Sequence, residues 1–181
     1  PGWCEAAMSV EAVKRHLRRW GKDEGVLELA ESCATVDMAA RAAGVCAERI
    51  AKTLSFAARR EEGGDPQRAC ILVVASGDAR IDGKKFKDRF GVKSKMLAPE
   101  EALARTGHGV GGVCPFAVEN PEAAIYLDLS LRRFTTVYPA CGSANSLVEL
   151  SCEDLYVISG ARAWVDVCRD WRQEAAAGDT L

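Results

Sequence analysis

The stretch from residue 52 to residue 75 constrains the fold most. Lys52-Thr53-Leu54-Ser55-Phe56-Ala57 alternates as a strand does, and residues 69–75 return as a second apolar run of strand length. Between them Glu61-Glu62-Gly63-Gly64-Asp65-Pro66 carries the turn residues of a hairpin-type connection. Connections of this kind argue against a doubly wound parallel sheet, whose strands are joined by helical crossovers.

Around this pair, helices and strands interleave irregularly. Ser9 is placed to cap a helix running to about Trp20, with Val13, Leu17 and Trp20 on one face and Gly21 closing it. Residues 26–30 read as a short strand. Thr35 opens a helix from Val36 to Ala43 that Gly44 ends, and residues 47–50 form a further helical turn. Gly77-Asp78 closes the second strand. Asp82 then caps a helix through Phe90, and residues 92–96 read as a strand. Pro99 suits a first helical position, with Gly107 as the stop. Residues 124–129, 135–138 and 147–150 read as strands, and Ser151 with Asp154 stands in capping-box-like positions for a last short helix. The expectation is one α/β (α+β) domain, a curved, mixed, mostly antiparallel sheet with flanking helices. Its bounds are 8–172. Met8-Ser9-Val10-Glu11 resembles a natural start, which makes 1–7 an upstream extension or a cloning remnant, and 173–181 a flexible tail.

Composition excludes several classes. Hydrophobic residues at 48% and charged residues at 28% give a globular balance, not that of a disordered chain. The longest apolar run, Cys70-Ile71-Leu72-Val73-Val74-Ala75, is far short of the ~20 residues a membrane helix needs. The first residues lack a secretory pattern, so a cytoplasmic location is expected. The 8 cysteines form no CxxC pair, and His16 and His108 lie far apart, which is poor spacing for zinc. Reduced, mostly buried thiols are the expectation rather than a disulfide framework. A net charge of −2 leaves no broadly basic surface for DNA, so any RNA contact should be small and local.

Four features could carry chemistry. Gly107-His108-Gly109-Val110-Gly111-Gly112-Val113-Cys114-Pro115 is too glycine-rich for regular structure. Such a loop can bring backbone N–H groups to a carbonyl or oxyanion, and its residues alone equally allow a tight structural turn. Lys52 opens an apolar strand, where its ammonium could meet a phosphate, a ribose oxygen or a carbonyl, or simply face solvent. Lys84, Lys85, Lys87, Arg89, Lys93 and Lys95 against Asp82 and Asp88 make a local basic patch, either a phosphate contact or a solvated helix face. Asp128 is a candidate carboxylate that also suits a structural hydrogen bond to a neighbouring loop. Cys114 invites a thiol mechanism, but its only nearby base is His108 and no third orienting group is evident. GxSxG, HExxH and P-loop patterns are absent.

Taken together, these segments resemble the YbaK/EbsC-type aminoacyl-tRNA deacylase family, which is related to the editing domain of bacterial prolyl-tRNA synthetases. The carrying motifs are Ser32-Cys33-Ala34-Thr35-Val36, Ile50-Ala51-Lys52-Thr53-Leu54-Ser55-Phe56, Gly77-Asp78-Ala79-Arg80-Ile81-Asp82, Gly111-Gly112-Val113-Cys114-Pro115-Phe116, Tyr126-Leu127-Asp128 and Tyr138-Pro139-Ala140-Cys141-Gly142-Ser143. They occur in family order over about residues 8–168, and the sequence looks closest to the EbsC-like branch. The resemblance implies a pocket for the aminoacylated 3′ end of tRNA and ester hydrolysis without metal or cofactor. It places the family lysine on Lys52 and the GxxxP motif on Gly111 and Pro115, with Gly112 beside them. By the same resemblance Thr35, Val36, Leu54, Asp82, Lys84, Val113, Cys114, Asp128, Ala140, Gly142 and Ser143 are expected to line the substrate. The implied substrate is a tRNA, tRNA-Pro first, charged with a small wrong amino acid such as alanine, cysteine, serine or threonine. A synthetase is an implied partner, and a non-catalytic module that binds the aminoacyl-tRNA end is the alternative. Two departures bear on specificity: residues 138–143 replace the polar residues by which better-known members select an amino acid, and Cys114 stands where a small polar residue is common.

Overall fold

The computed structural model describes residues 2–30, 34–58 and 69–172, with side chains from Ser9 onward. In chain order these fold as α1 (Gly2–Arg18), β1 (Val26–Glu28), α2 (Val36–Ala43), β2 (Ile50–Ala57), β3 (Cys70–Ser76), β4 (Arg80–Ile81), α3 (Gly83–Phe90), α4 (Pro99–Thr106), β5 (Ala123–Asp128), β6 (Thr136–Pro139), β7 (Ser146–Val148), β8 (Leu150–Ser151), α5 (Cys152–Ser159), β9 (Ala163–Val165) and β10 (Cys168–Arg169). Six strands form the main sheet in the order β8-β6-β2-β3-β5-β9, with β1·β7 and β10·β4 as two-stranded ribbons. Four of the seven described pairings are antiparallel, and β2 with β3 is the longest. The expected mixed α+β domain is what the chain forms.

β3 is the middle of the molecule because its side chains are apolar on both faces. Leu72 and Val74 point into one cluster with Val13 and Leu17 of α1, Leu155 and Ile158 of α5, and Phe116. Ile71, Val73 and Ala75 point into the other, with Phe56 and with Phe86 of α3. Each such large side chain contributes about 1.5–3 kcal/mol when fully buried. A strand buried on both faces therefore reads as a continuous apolar run, as 70–75 does.

Local signals positioned several elements correctly. Thr35 accepts from Met38 N at the start of α2, and Gly44 at φ +67° ends it. Asp82 Oδ1 accepts from Lys84 N and Lys85 N at the start of α3. Ser151 Oγ accepts from Asp154 N at α5.

Other boundaries differ. The first helix begins at Gly2 rather than at Ser9 and ends at Arg18, because Glu5-Ala6-Ala7-Met8 are themselves strong helix formers. Residues 92–96 do not form a strand; only Met96 bridges Phe56 before Pro99 opens α4. The expected strand 147–150 is two, pairing with β1 and with β6. β4, β9 and β10 are too short to show periodicity. Ser32-Cys33, the 61–66 connection and the 173–181 tail lie outside the described residues.

Candidate functional site

Strand register gathers the motif residues at one end of the sheet. β6 runs parallel to β2, with Ile50 opposite Tyr138 and Ala51 opposite Pro139. The chain that leaves β6 therefore starts its loop, Ala140 onward, level with Lys52. β3 runs the other way, with Lys52 opposite Ala75, so Gly77 emerges at the same end.

Lys52 Nζ donates to Gly77 O at 2.9 Å. Burial pulls its ammonium below the usual lysine range, opposed by the charges of Cys168 and Asp78 and reinforced by Arg80. Gly77 has no room for a side chain: a Cβ there would collide with Ala47 O and lie 2.6 Å from Val36 Cγ1. Val36, at the start of α2, thereby packs against the residue whose carbonyl holds the lysine.

The glycine loop reaches the same segment from the other side. Gly111 takes φ +80°, and a Cβ on it would sit 3.0 Å from Ala144 Cβ and 3.3 Å from Ala34 Cβ. Gly112 lies directly on the Gly142 peptide, where a Cβ would be 2.6 Å from Gly142 C and 2.7 Å from Ser143 N. Gly142, at φ +89°, lies in turn on α1, with Ser9 Oγ 2.6 Å from where its Cβ would be. Three backbones are thus stacked without intervening side chains, an approach only glycine allows. Gly112 N–H closes a turn on Gly109 O at 3.0 Å. Ser143 donates from its Oγ to Asn145 Oδ1 at 2.8 Å or Ser146 Oγ at 2.7 Å, fixing the second loop.

Of the residues expected at the site, Gly112, Gly142 and Ser143 are in direct contact beside Gly111, with Ala140 opening the second loop. Thr35 and Val36 lie between them and Gly77, and Lys52 joins through its bond to Gly77 O. Pro115 is buried and Val113 half-buried at the far end of the loop. Leu54 shares the Lys52 face of β2 and packs toward Phe56. Asp82 and Lys84 stand at the start of α3, Asp82 engaged as its cap and Lys84 exposed, 3.7 Å from Asp88. Asp128 is wholly buried, with Oδ1 accepting from Ser130 N and Oδ2 from Val167 N, both at 2.9 Å. Among the described residues no three His, Cys, Asp or Glu side chains cluster as metal ligands, and no helix is long and apolar enough to cross a membrane.

Two groups of residues escaped the reading of the sequence. Arg133 binds the Asp78 carboxylate at 2.6 and 3.0 Å and reaches Trp171 O at 3.0 Å, holding the turn that carries Gly77. The Arg133 guanidinium and the Ser76 hydroxyl hold the Asp78 carboxyl below the usual carboxylate range, against the opposing effect of burial. No local pattern announces that pair, since its members are separated by a long stretch of chain. Ser9 and His108 are the second group. Ser9 Oγ and His108 Nδ1 are 2.6 Å apart, and His108 Nε2 lies 2.7 Å from Phe116 O. The available signal was a serine at i before Val13 at i+4 and Leu17 at i+8, a polar residue on an apolar helix face.

Cys114 is wholly buried, 3.5 Å from His108 Nε2, and burial pushes its thiol up to about 12. A thiol so hard to ionise is not a nucleophile at neutral pH. Iodoacetamide at neutral pH is therefore expected to modify exposed Cys46 and spare Cys114 in the folded protein, read by peptide mass spectrometry. Adduct on Cys114 at a comparable rate would contradict this burial.

His108 makes a second expectation. Burial depresses its imidazole below the ordinary 6.5, with the Phe116 carbonyl opposing, and Cys114 is the titratable side chain in contact with it. The unfolded chain then binds the proton more readily. Stability is full above pH 6.5 and falls as pH drops below it, by at most about 1.4 kcal/mol per pH unit. Urea midpoints followed from neutral pH down to about pH 5 should show this slope in wild type and lose it in His108→Gln.

A cavity of about 800 Å³ borders the same loops, walled by Ser9 and Ala12 of α1, residues 103–106 of α4, 107–110 and 142–144. Lys52 does not line it. The motif residues gather instead around 34–36, where Val36 meets Gly77, the partner of Lys52, and Ala34 meets Gly111.

Similarity to known proteins extends over most of the chain. The family model described as an aminoacyl-tRNA editing domain matches residues 30–157. The chain is 49% identical over 165 residues to the uncharacterized protein YwhH of Bacillus subtilis (strain 168), covering 91% of this chain and 99% of that protein. A solved structure described as a candidate trans-editing enzyme for prolyl tRNA synthetase superposes with a TM-score of 0.76 at 30% identity, covering 89% of this chain and 97% of that one. The hypothetical protein APE2540 superposes with a TM-score of 0.66 at 30% identity over 80% of this chain and 90% of its own.

Proposed function

The chain belongs to the aminoacyl-tRNA editing domain family, and from that premise we propose that it is a free-standing deacylase that removes a small, wrongly attached amino acid from tRNA. The observation that carries the reading is that strand register sets Lys52 level with the start of the 140–143 loop, at the end of the sheet where the Gly111–Gly112 backbone lies directly on Gly142. An ammonium there can hold a phosphate or ribose oxygen of the terminal adenosine. Backbone loops that approach closely can fix the ester carbonyl and stabilise the charge that develops on its oxygen.

The step is an ester hydrolysis. A water oxygen adds to the carbonyl carbon and the bond from that carbon to the ribose oxygen breaks. One water proton ends on the ribose oxygen and the other passes to solvent as the amino acid leaves as its carboxylate. Where the free ribose hydroxyl adds first, it only carries the amino acid over as a new ester on the neighbouring ribose oxygen, and water then cleaves that ester in the same way. The ester is already activated, so positioning supplies much of the rate, consistent with a site whose nearest thiol and imidazole are buried and otherwise engaged. Gly112 N–H is closed on Gly109 O, so its use as a donor to the substrate requires that turn to open.

Ala34, Ala140 and Ala144 suit a small amino acid, of which alanine is our first choice, with tRNA-Pro as the carrier and an EbsC-like member of the family as the actor in the cytoplasm. A pocket of this kind separates neighbours differing by a methylene by only about 10- to 200-fold, so selectivity rests on excluding the larger correct amino acid. Exposed Lys87, Arg89, Lys93 and Lys95 are available to a few acceptor-stem phosphates. The test is a single-turnover panel of tRNAs charged with alanine, cysteine, serine, threonine or proline, with protein in excess. Fast loss of one non-cognate amino acid supports the reading and names the substrate. Stable esters throughout, with tRNA bound, would convert it to that of a binding module.

A further inference from the structure

We propose that Ser9 and His108 form a positioning pair that clamps the glycine loop in its working shape; the inference rests on the deacylase reading. The geometry defines the hydrogen bonds. Phe116 O can only accept, so His108 Nε2 carries the proton and donates to it at 2.7 Å. Nδ1 is then the acceptor, and the Ser9 hydroxyl at 2.6 Å is its donor. His108 is 2% exposed, so its ring nitrogens find their partners within the protein, in Phe116 O and the Ser9 hydroxyl.

The consequence is mechanical. The bond from His108 to Phe116 O ties together the two ends of the loop that contains Gly111, Gly112 and Pro115. Ser9 anchors that tie to α1, and the same serine supports Gly142, on which Gly112 rests. Thr106 Oγ1 accepts from His108 N at 3.2 Å and joins α4 to the assembly. One histidine therefore sets the curvature of the loop and, through Ser9, its seat on the 140–144 segment, without touching the substrate. The N-terminal helix thereby becomes part of the site although it contributes no group to the reaction.

Ser9→Ala removes the donor to Nδ1 and keeps a helix-favouring residue. His108→Gln is a second variant whose amide can still reach Phe116 O. In Ser9→Ala, amide hydrogen exchange over 109–115 should quicken roughly 5- to 10-fold, the expected effect of losing one hydrogen bond, while β3 is unchanged. The deacylation kcat should fall roughly 10- to 100-fold with KM within about twofold, because the loop is misplaced while the hold on the tRNA is intact. His108→Gln should lie between Ser9→Ala and wild type in both readouts. Unaltered loop exchange in Ser9→Ala would overturn the clamp, and quickened exchange with unaltered kcat would overturn its role in positioning. Should wild type itself fail to deacylate, the hydrolase reading falls while quickened loop exchange still sustains the clamp.

Discussion

Lys52→Ala should lower the single-turnover rate of ester loss by about 100-fold or more while the protein stays folded. The ammonium is half-buried and donates to Gly77 O, so it is already oriented toward the end of the sheet where the loops meet. Truncating one partner of a buried, hydrogen-bonded charge pair costs about 2–5 kcal/mol in binding, and the bond from Lys52 to a phosphate or ribose oxygen belongs to that class. Stability should change little. The variant relieves the desolvation that depresses the lysine and leaves one carbonyl without its donor, two effects of opposite sign. Lys52→Arg should recover only part of the rate, because a planar fork does not fit the space of a compact ammonium. Rates are compared at equal thermal midpoints. A Lys52→Ala rate indistinguishable from wild type would remove the lysine from the reaction.

Gly112→Ala should fail differently, by separating the two loops. A Cβ at 2.6 Å from Gly142 C and 2.7 Å from Ser143 N runs into the Gly142–Ser143 peptide itself, with no flexible side chain to move away. Overpacking of this kind costs about 1–3 kcal/mol, and the rigid neighbours put this site at about 3. A displacement of about 1 Å in the loop would also slow the reaction roughly 100-fold. Gly109→Ala is the internal control for stability, since a Cβ there meets nothing within 4 Å. Urea midpoints that shift equally in the two variants would contradict the stacked-backbone arrangement.

What the sequence disclosed and what it hid divide along physical lines. Thr35, Asp82 and Ser151 cap their helices through bonds that span two or three residues, so their signals are local and were readable. The β2–β3 pair was readable for the same reason: each strand declares itself by alternation or by an unbroken apolar run. The start of α1 was not, because Ser9 is a good cap in isolation and only the tertiary structure gives its hydroxyl to His108. β9 and β10 are held by pairing with β5 and β4, so their brevity left nothing to detect. At the site, the glycines were visible as glycines, but their partners were not. Gly112 on Gly142 and Gly77 on Val36 are contacts across the fold that no spacing encodes. The Asp78–Arg133 pair was hidden likewise, whereas the structural hydrogen bonding that Asp128 suited by sequence is what it makes, to Ser130 N and Val167 N.

The most direct test is multiple turnover: catalytic protein with a large excess of alanyl-tRNA-Pro, following release of free alanine over time. The account predicts many alanines released per protein molecule, at a rate that falls about 100-fold in Lys52→Ala. Release that stops at one alanine per protein, or never exceeds the spontaneous rate for any member of the amino acid panel, would contradict it.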